Sequence, residues 1–90
     1  MAQAIVDPAE LRRFAQALKQ FNAGLEEGST VLAGQMSNLS QSWRDQEHKK
    51  FAEEFEQSLR AISRFIELNN EHIPYLLRKA QLIEEYLHQR

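Results

Sequence analysis

The sequence predicts an all-α protein, an antiparallel hairpin of two long helices that pairs with a second hairpin into a four-helix bundle dimer. Three observations predict it. Apolar residues recur at steps of three and four through both halves of the 90-residue chain; the recurrence breaks once, near residues 40–45; and no stretch shows the alternation of a strand.

The first helix has a well-marked start. In Asp7-Pro8-Ala9-Glu10, Asp7 can cap free backbone N–H groups, Pro8 suits the first helical position and Glu10 completes a capping box, with Val6 and Leu11 placed as a staple. Leu11, Phe14, Leu18, Phe21, Leu25, Gly28, Leu32 and Leu39 then trace an amphipathic seam with one polar gap at Gln35, which predicts a helix over about 8–40. The turn falls at about 41–45, where Ser40-Gln41-Ser42-Trp43-Arg44-Asp45 supplies side chains that bond back to their own backbone.

The second seam is more regular. Ala52, Phe55, Leu59, Ile62, Ile66, Asn69, Ile73, Leu76, Ala80, Ile83 and Leu87 predict a helix over about 46–88, longer than the first, so that it overhangs its mate or bends. Pro74 is the candidate kink, because it lacks an N–H and its ring crowds the carbonyl of Asn70. Ile73 caps poorly, which argues against a new helix beginning there. The whole chain, 1–90, reads as a single helical-hairpin domain.

Composition narrows the function. The net charge is −2, with 11 Lys and Arg and 13 Asp and Glu interspersed along both halves, so no basic block offers itself to nucleic acid. With no cysteine, disulfides and thiolate metal sites are excluded, and a chain this short buries only a modest part of its surface alone. Self-association is the remaining staple. Met1 is followed by Ala-Gln-Ala-Ile-Val-Asp-Pro, without the basic start and apolar stretch of a secretory signal, and no apolar run is long enough for a membrane span. Polar faces of mixed sign argue against a membrane-active helix.

The apolar residues exceed what one hairpin seam needs. On the second helix Ala61, Leu68, Tyr75 and Leu82 form a neighbouring line at heptad spacing, bridged to the seam by Phe51, Phe65 and Tyr86. On the first helix the matching flank is small: Ala17, Gly24 and Val31 lie beside Gly28. Gly24, Gly28 and Gly34 each cost a helix about 1 kcal/mol relative to alanine, and a close helix crossing is the natural compensation. The expected dimer interface is therefore Ala17, Gly24, Gly28, Val31, Phe65, Leu68, Tyr75, Leu82 and Tyr86. Asn69 within the seam reads either as a register device or as a satisfied amide near the kink.

Two amphipathic helices, a length near one hundred residues and a lone tryptophan at the central turn resemble the Trp-x-Gly (WXG) family of early-secreted-antigen-like hairpins, substrates and partners of type VII secretion. The resemblance spans essentially the whole chain. Trp43 matches, Arg44 takes the free position and Asp45 stands where the family has glycine; aspartate can enter left-handed backbone conformations and can cap the following helix. The resemblance implies homo- or heterodimeric four-helix bundles, with Trp43 at one end of the hairpin near the partner helix. Many members of that family, or their partners, also carry a C-terminal export signal of tyrosine followed four residues later by an acidic residue. Here Tyr75 is followed at that spacing by Lys79, and Tyr86 by Arg90.

No chemistry competes with this reading. His48, His72 and His88 are dispersed, and Glu85 with His88 makes only one Glu-x-x-His step, so neither metal nor cofactor is expected. No nucleophile–base pair or phosphate-binding loop stands out, so no enzyme is expected. Charged clusters such as Lys49-Lys50 and Glu53-Glu54 read as solvated helix faces. The expected function is that of a type VII secretion substrate or adaptor, paired with itself or a related hairpin and recognised by the secretion apparatus. Its expected location is outside the cell without a cleaved signal, or the cytoplasm; the alternative is a cytoplasmic structural or regulatory coiled-coil module.

Overall fold

A computed structural model of the chain describes residues 6–88. Two helices make up the fold, α1 (Pro8–Ser42) and α2 (Gln46–His88), packed antiparallel with no strand among the described residues. The opening residues, read above for a secretory signal, and Arg90, four beyond Tyr86, lie outside the described residues.

Asp7 starts α1 as expected: its backbone is extended, its Oδ1 accepts the N–H of Ala9 at 2.9 Å, and Pro8 occupies the first turn. The capping box is not completed. Glu10 lies 3.5 Å from Arg13, an i,i+3 pair, and its backbone N–H bonds to the Asp7 carbonyl. The helix runs two residues past the predicted end, so the turn contracts to Trp43, Arg44 and Asp45. α2 continues unbroken through Pro74.

The α2 seam lies where its periodicity places it. Ile66, Asn69 and Ala80 are buried, and Ala52, Phe55, Leu59, Ile62, Ile73, Leu76 and Ile83 are half-buried; only Leu87, at the end, is exposed. The α1 seam departs from expectation. Leu11, Leu18 and Leu25 do face α2, but the column beside them is Ala15, Asn22, Ser29 and Met36, not Phe14, Phe21, Gly28 and Gln35. Each observed residue follows its predicted counterpart by one position, about 100° around the helix. Phe14 is consequently 59% exposed and Phe21 53%, while Ala15 is 1% exposed and Asn22 4%. Leu32 and Leu39 are also exposed, since the helices wind about each other and the seam passes to Met36 and Ser40 near the turn.

The physical reason for the departure lies in one polar cluster. Asn22 Nδ2 donates to the Ile66 carbonyl at 3.1 Å and to Asn70 Oδ1 at 3.0 Å, and its Oδ1 accepts from Asn69 Nδ2 at 2.9 Å. Both Asn22 and Asn69 are 4% exposed, so these bonds form where an unpaired amide would cost about 1–3 kcal/mol. Asn69 is thus a satisfied amide within the chain. Towards the open end, Arg12 donates to Glu84 in a two-bond fork of 2.7 and 3.0 Å.

Among the described residues the buried hydrophobic core is small: Ala15, Ile66 and Ala80, with no large side chain fully enclosed. The envelope measures 68 × 22 × 14 Å, a single layer of two helices. Both broad faces of that layer are bare.

Candidate functional site

Two features of the layer carry functional interest: the turn and one of the broad faces.

At the turn, Trp43 has extended backbone angles of −101° and 108°, and its N–H donates to the Leu39 carbonyl at 2.9 Å, closing α1. Its half-buried indole meets the His48 ring edge-on at 5.2 Å and lies tilted against Phe51 at 5.8 Å; Phe51 in turn stacks on Phe55 at 5.9 Å. The aromatic chain ties the end of α1 to the first turns of α2. Ser40 Oγ–H donates to the Met36 carbonyl, leaving its oxygen, 2.8 Å from His48 Nε2, to accept the ring N–H. Arg44 folds back, with its Nε–H on the Gln41 carbonyl at 3.0 Å.

Asp45 explains how the turn dispenses with glycine. Its Oδ1 accepts the N–H of His48 at 3.0 Å, which is the N-cap bond of α2. No described residue has a positive φ, so the left-handed freedom that glycine supplies is not used in this turn. In the sequence His48 is weighed only as a metal ligand, yet the spacing Asp45-x-x-His48 is that of a cap and its N3 residue. That signal was available.

The broad faces differ sharply. Phe21 and Phe65 meet across the two helices, edge to face at 6.2 Å, which places them on the same side of the layer. Phe14 lies seven residues before Phe21, and Phe51 fourteen before Phe65, so whole heptads bring both to that side. Leu32 and Leu39 continue the stripe on α1. Arg12, Lys19 and Thr30 stand two residues, about 200°, from Phe14, Phe21 and Leu32, and so line the other side. There Arg12, Gln16 and Lys19 border a groove with Asn70 and Pro74, and Glu26, Thr30, Ser63 and Glu67 border a second. One face carries the aromatic stripe; the other is mixed, its first groove lined also by Ala15, Ile73 and Leu77.

The expected interface residues fall as follows. Ala17, Gly24, Gly28 and Val31 are exposed on α1, as are Phe65, Tyr75, Leu82 and Tyr86 on α2, with Leu68 half-buried. Of these, only Phe65 takes part in an aromatic contact between helices, its partner being Phe21, which had been assigned to the seam. A Cβ added at Gly24, Gly28 or Gly34 would meet no neighbour within 4 Å. The close crossing anticipated for the glycines therefore does not occur within the hairpin.

In the Arg12–Glu84 fork each side chain favours the charged form of the other. The hydrogen bond from Arg12 holds the Glu84 carboxyl below its ordinary value of 4.5, partial burial opposing it, and the same bond raises the pKa of the Arg12 guanidinium. Among the described residues no three His, Asp or Glu side chains gather closely enough to hold a metal. No described helix is long and apolar enough to cross a membrane.

No curated protein matches the chain. The family model of WXG100, proteins of 100 residues with WXG, matches residues 3–86, from before the Asp7 cap to the last turn of α2. A hairpin of two long helices, a lone tryptophan closing the first of them and a match over nearly the full length agree: the chain belongs to the WXG100 family, which is associated with type VII secretion.

Proposed function

We propose that this chain is a type VII secretion substrate or adaptor that acts as a dimeric helical hairpin, through contacts between proteins and without catalysis or cofactor. One observation carries the proposal: Phe14, Phe21, Phe51 and Phe65 lie exposed on a single broad face of a one-layer molecule whose own buried core is minimal. Covering a partly exposed Phe or Leu is worth about 1–2 kcal/mol, so the stripe offers more stabilisation than scattered surface hydrophobes would. A second hairpin laid on this face makes a four-helix bundle. The open space at Gly24 and Gly28 favours close approach there.

The mate is another copy or a related hairpin. Equilibrium sedimentation at micromolar concentration tests self-pairing, with the expected result a dimer of twice the 10.5 kDa chain. A clean monomer excludes the homodimer. Phe65→Asp, which puts a charge in the middle of the face, is expected to return the protein to monomer while leaving its helix content intact.

The second reading is a cytoplasmic structural or regulatory module with no export role. Tyr75 and Tyr86 are followed at the signal's spacing by Lys79 and Arg90, so neither makes a Tyr-x-x-x-acidic signal, and this reading stands beside the first. In the export reading that signal comes from the partner, or another signal serves. Protein in culture supernatant without lysis supports export, and protein confined to cells supports the second reading.

A further inference from the structure

The α1 sequence contains two alternative seams. Both use Leu11, Leu18 and Leu25; one completes the stripe with Phe14 and Phe21, the other with Ala15 and Asn22. The two columns differ by one residue, so a turn of α1 about its own axis by roughly 50° exchanges them. On apolar area alone the phenylalanine seam is the better one. The hairpin adopts the other, leaving both phenylalanine rings more than half exposed.

What separates the two arrangements is polar. In the observed one, Asn22 makes three bonds to α2, to the Ile66 carbonyl, Asn69 and Asn70, and among the described residues no buried side-chain nitrogen or oxygen lacks a partner. Turning α1 to bring Phe21 inward withdraws Asn22 and leaves the Asn69 amide buried against an aromatic ring. A partly satisfied buried network is worse than none, so the three asparagines act as a key that fits one rotation. Arg12 and Glu84 fit the same rotation, but both are nearly half exposed, so water can replace their bond.

We propose that Asn22 is a specificity-determining residue that fixes the rotation of α1, and that by doing so it keeps Phe14 and Phe21 on the outer face. The rotational role stands on the hairpin alone. Its consequence for pairing rests on the dimer reading above.

The test uses the full chain, which has no cysteine of its own. Ala15→Cys places a thiol in the observed seam, and Gln16→Cys places one on the exposed surface as reference. Their reaction with a disulfide reagent is measured with and without Asn22→Leu, and sedimentation is run on Asn22→Leu alone. In the parent chain the Ala15→Cys thiol is expected to react about tenfold or more slower than the reference, and Asn22→Leu to bring the two within about threefold. Loss of the dimer in Asn22→Leu accompanies this if the outer face is the interface. An exposed Ala15→Cys thiol with the dimer retained upholds the rotational role and overturns the dimer-face reading instead. Asn69→Leu, which attacks the network from α2, is expected to act like Asn22→Leu. An Ala15→Cys thiol that stays protected in both backgrounds overturns the proposal. So does loss of helical circular dichroism in both, since the asparagines would then hold the hairpin together without choosing its rotation.

Discussion

Asp45 accepts the backbone N–H of His48 at 3.0 Å, so the residue standing where WXG proteins carry glycine is the N-cap of the second helix. Removing the cap with Asp45→Ala is expected to cost about 1 kcal/mol, and Asp45→Gly, which restores the family motif, only a few tenths. Thermal unfolding of the two variants checks the order. A glycine variant more stable than the parent would show that the turn is strained after all.

Trp43 touches His48 and Phe51 but keeps part of its ring in water. Trp43→Ala is therefore expected to cost about 2 kcal/mol, less than the 3–5 of a fully buried aromatic. Chemical denaturation measures this. An unchanged midpoint would mean that the indole contributes nothing to the hairpin and serves recognition only.

The three helical glycines separate intrinsic stability from pairing. Because a Cβ at each would meet no neighbour, alanine at any of them is expected to stabilise an isolated hairpin by about 1 kcal/mol. Gly24 and Gly28 border the apolar stripe, whereas Gly34 lies about 80° further round the helix from Gly24. Gly34→Ala should leave the dimer dissociation constant unchanged, and Gly24→Ala or Gly28→Ala should weaken it. Equal effects at all three positions would remove the close approach from the interface.

The Arg12–Glu84 fork predicts a small acid sensitivity. Since the bond to Arg12 lowers the folded-state pKa of Glu84 below 4.5, its stabilisation is present above that value and is lost as pH falls through the lower folded-state value. The melting temperature of Glu84→Gln is expected to lie slightly below that of the parent near pH 7 and to converge with it in acid. Added salt should shrink the difference, because both side chains are nearly half exposed. A gap that persists undiminished in strong acid would assign it to another cause.

The second helix was legible because its seam keeps steps of three and four from Ala52 to Leu87 without a gap, which the shorter neighbouring line of Ala61, Leu68, Tyr75 and Leu82 does not match. The first was half legible. Leu11, Leu18 and Leu25 are unambiguous, but their companion column could be Phe14 and Phe21 or Ala15 and Asn22, and hydrophobic periodicity favours the aromatic one. Asn22 decides between them through partners 44 to 48 residues away, and such bonds cannot be read before the register is known. Arg12 and Glu84, 72 residues apart, were hidden for the same reason. The turn lay on the surface of the sequence, since Trp43 and Asp45 interrupt the heptads where neither suits a helix interior. The capping box failed because Glu10 had a nearer cationic partner in Arg13.

If the chain is exported as proposed, the thinness of the layer bears on its passage. Seen end-on, the folded hairpin presents a backbone outline of only 22 × 14 Å, its whole length lying along the direction of travel. Side chains add about 3 Å on each side of that outline, so a conduit about 6 Å wider than it would be needed to admit the hairpin without melting a helical turn. Two hairpins laid face to face would need about twice the shorter dimension. The diameter of a channel therefore discriminates between passage one chain at a time and passage in pairs, whatever sequence marks the cargo.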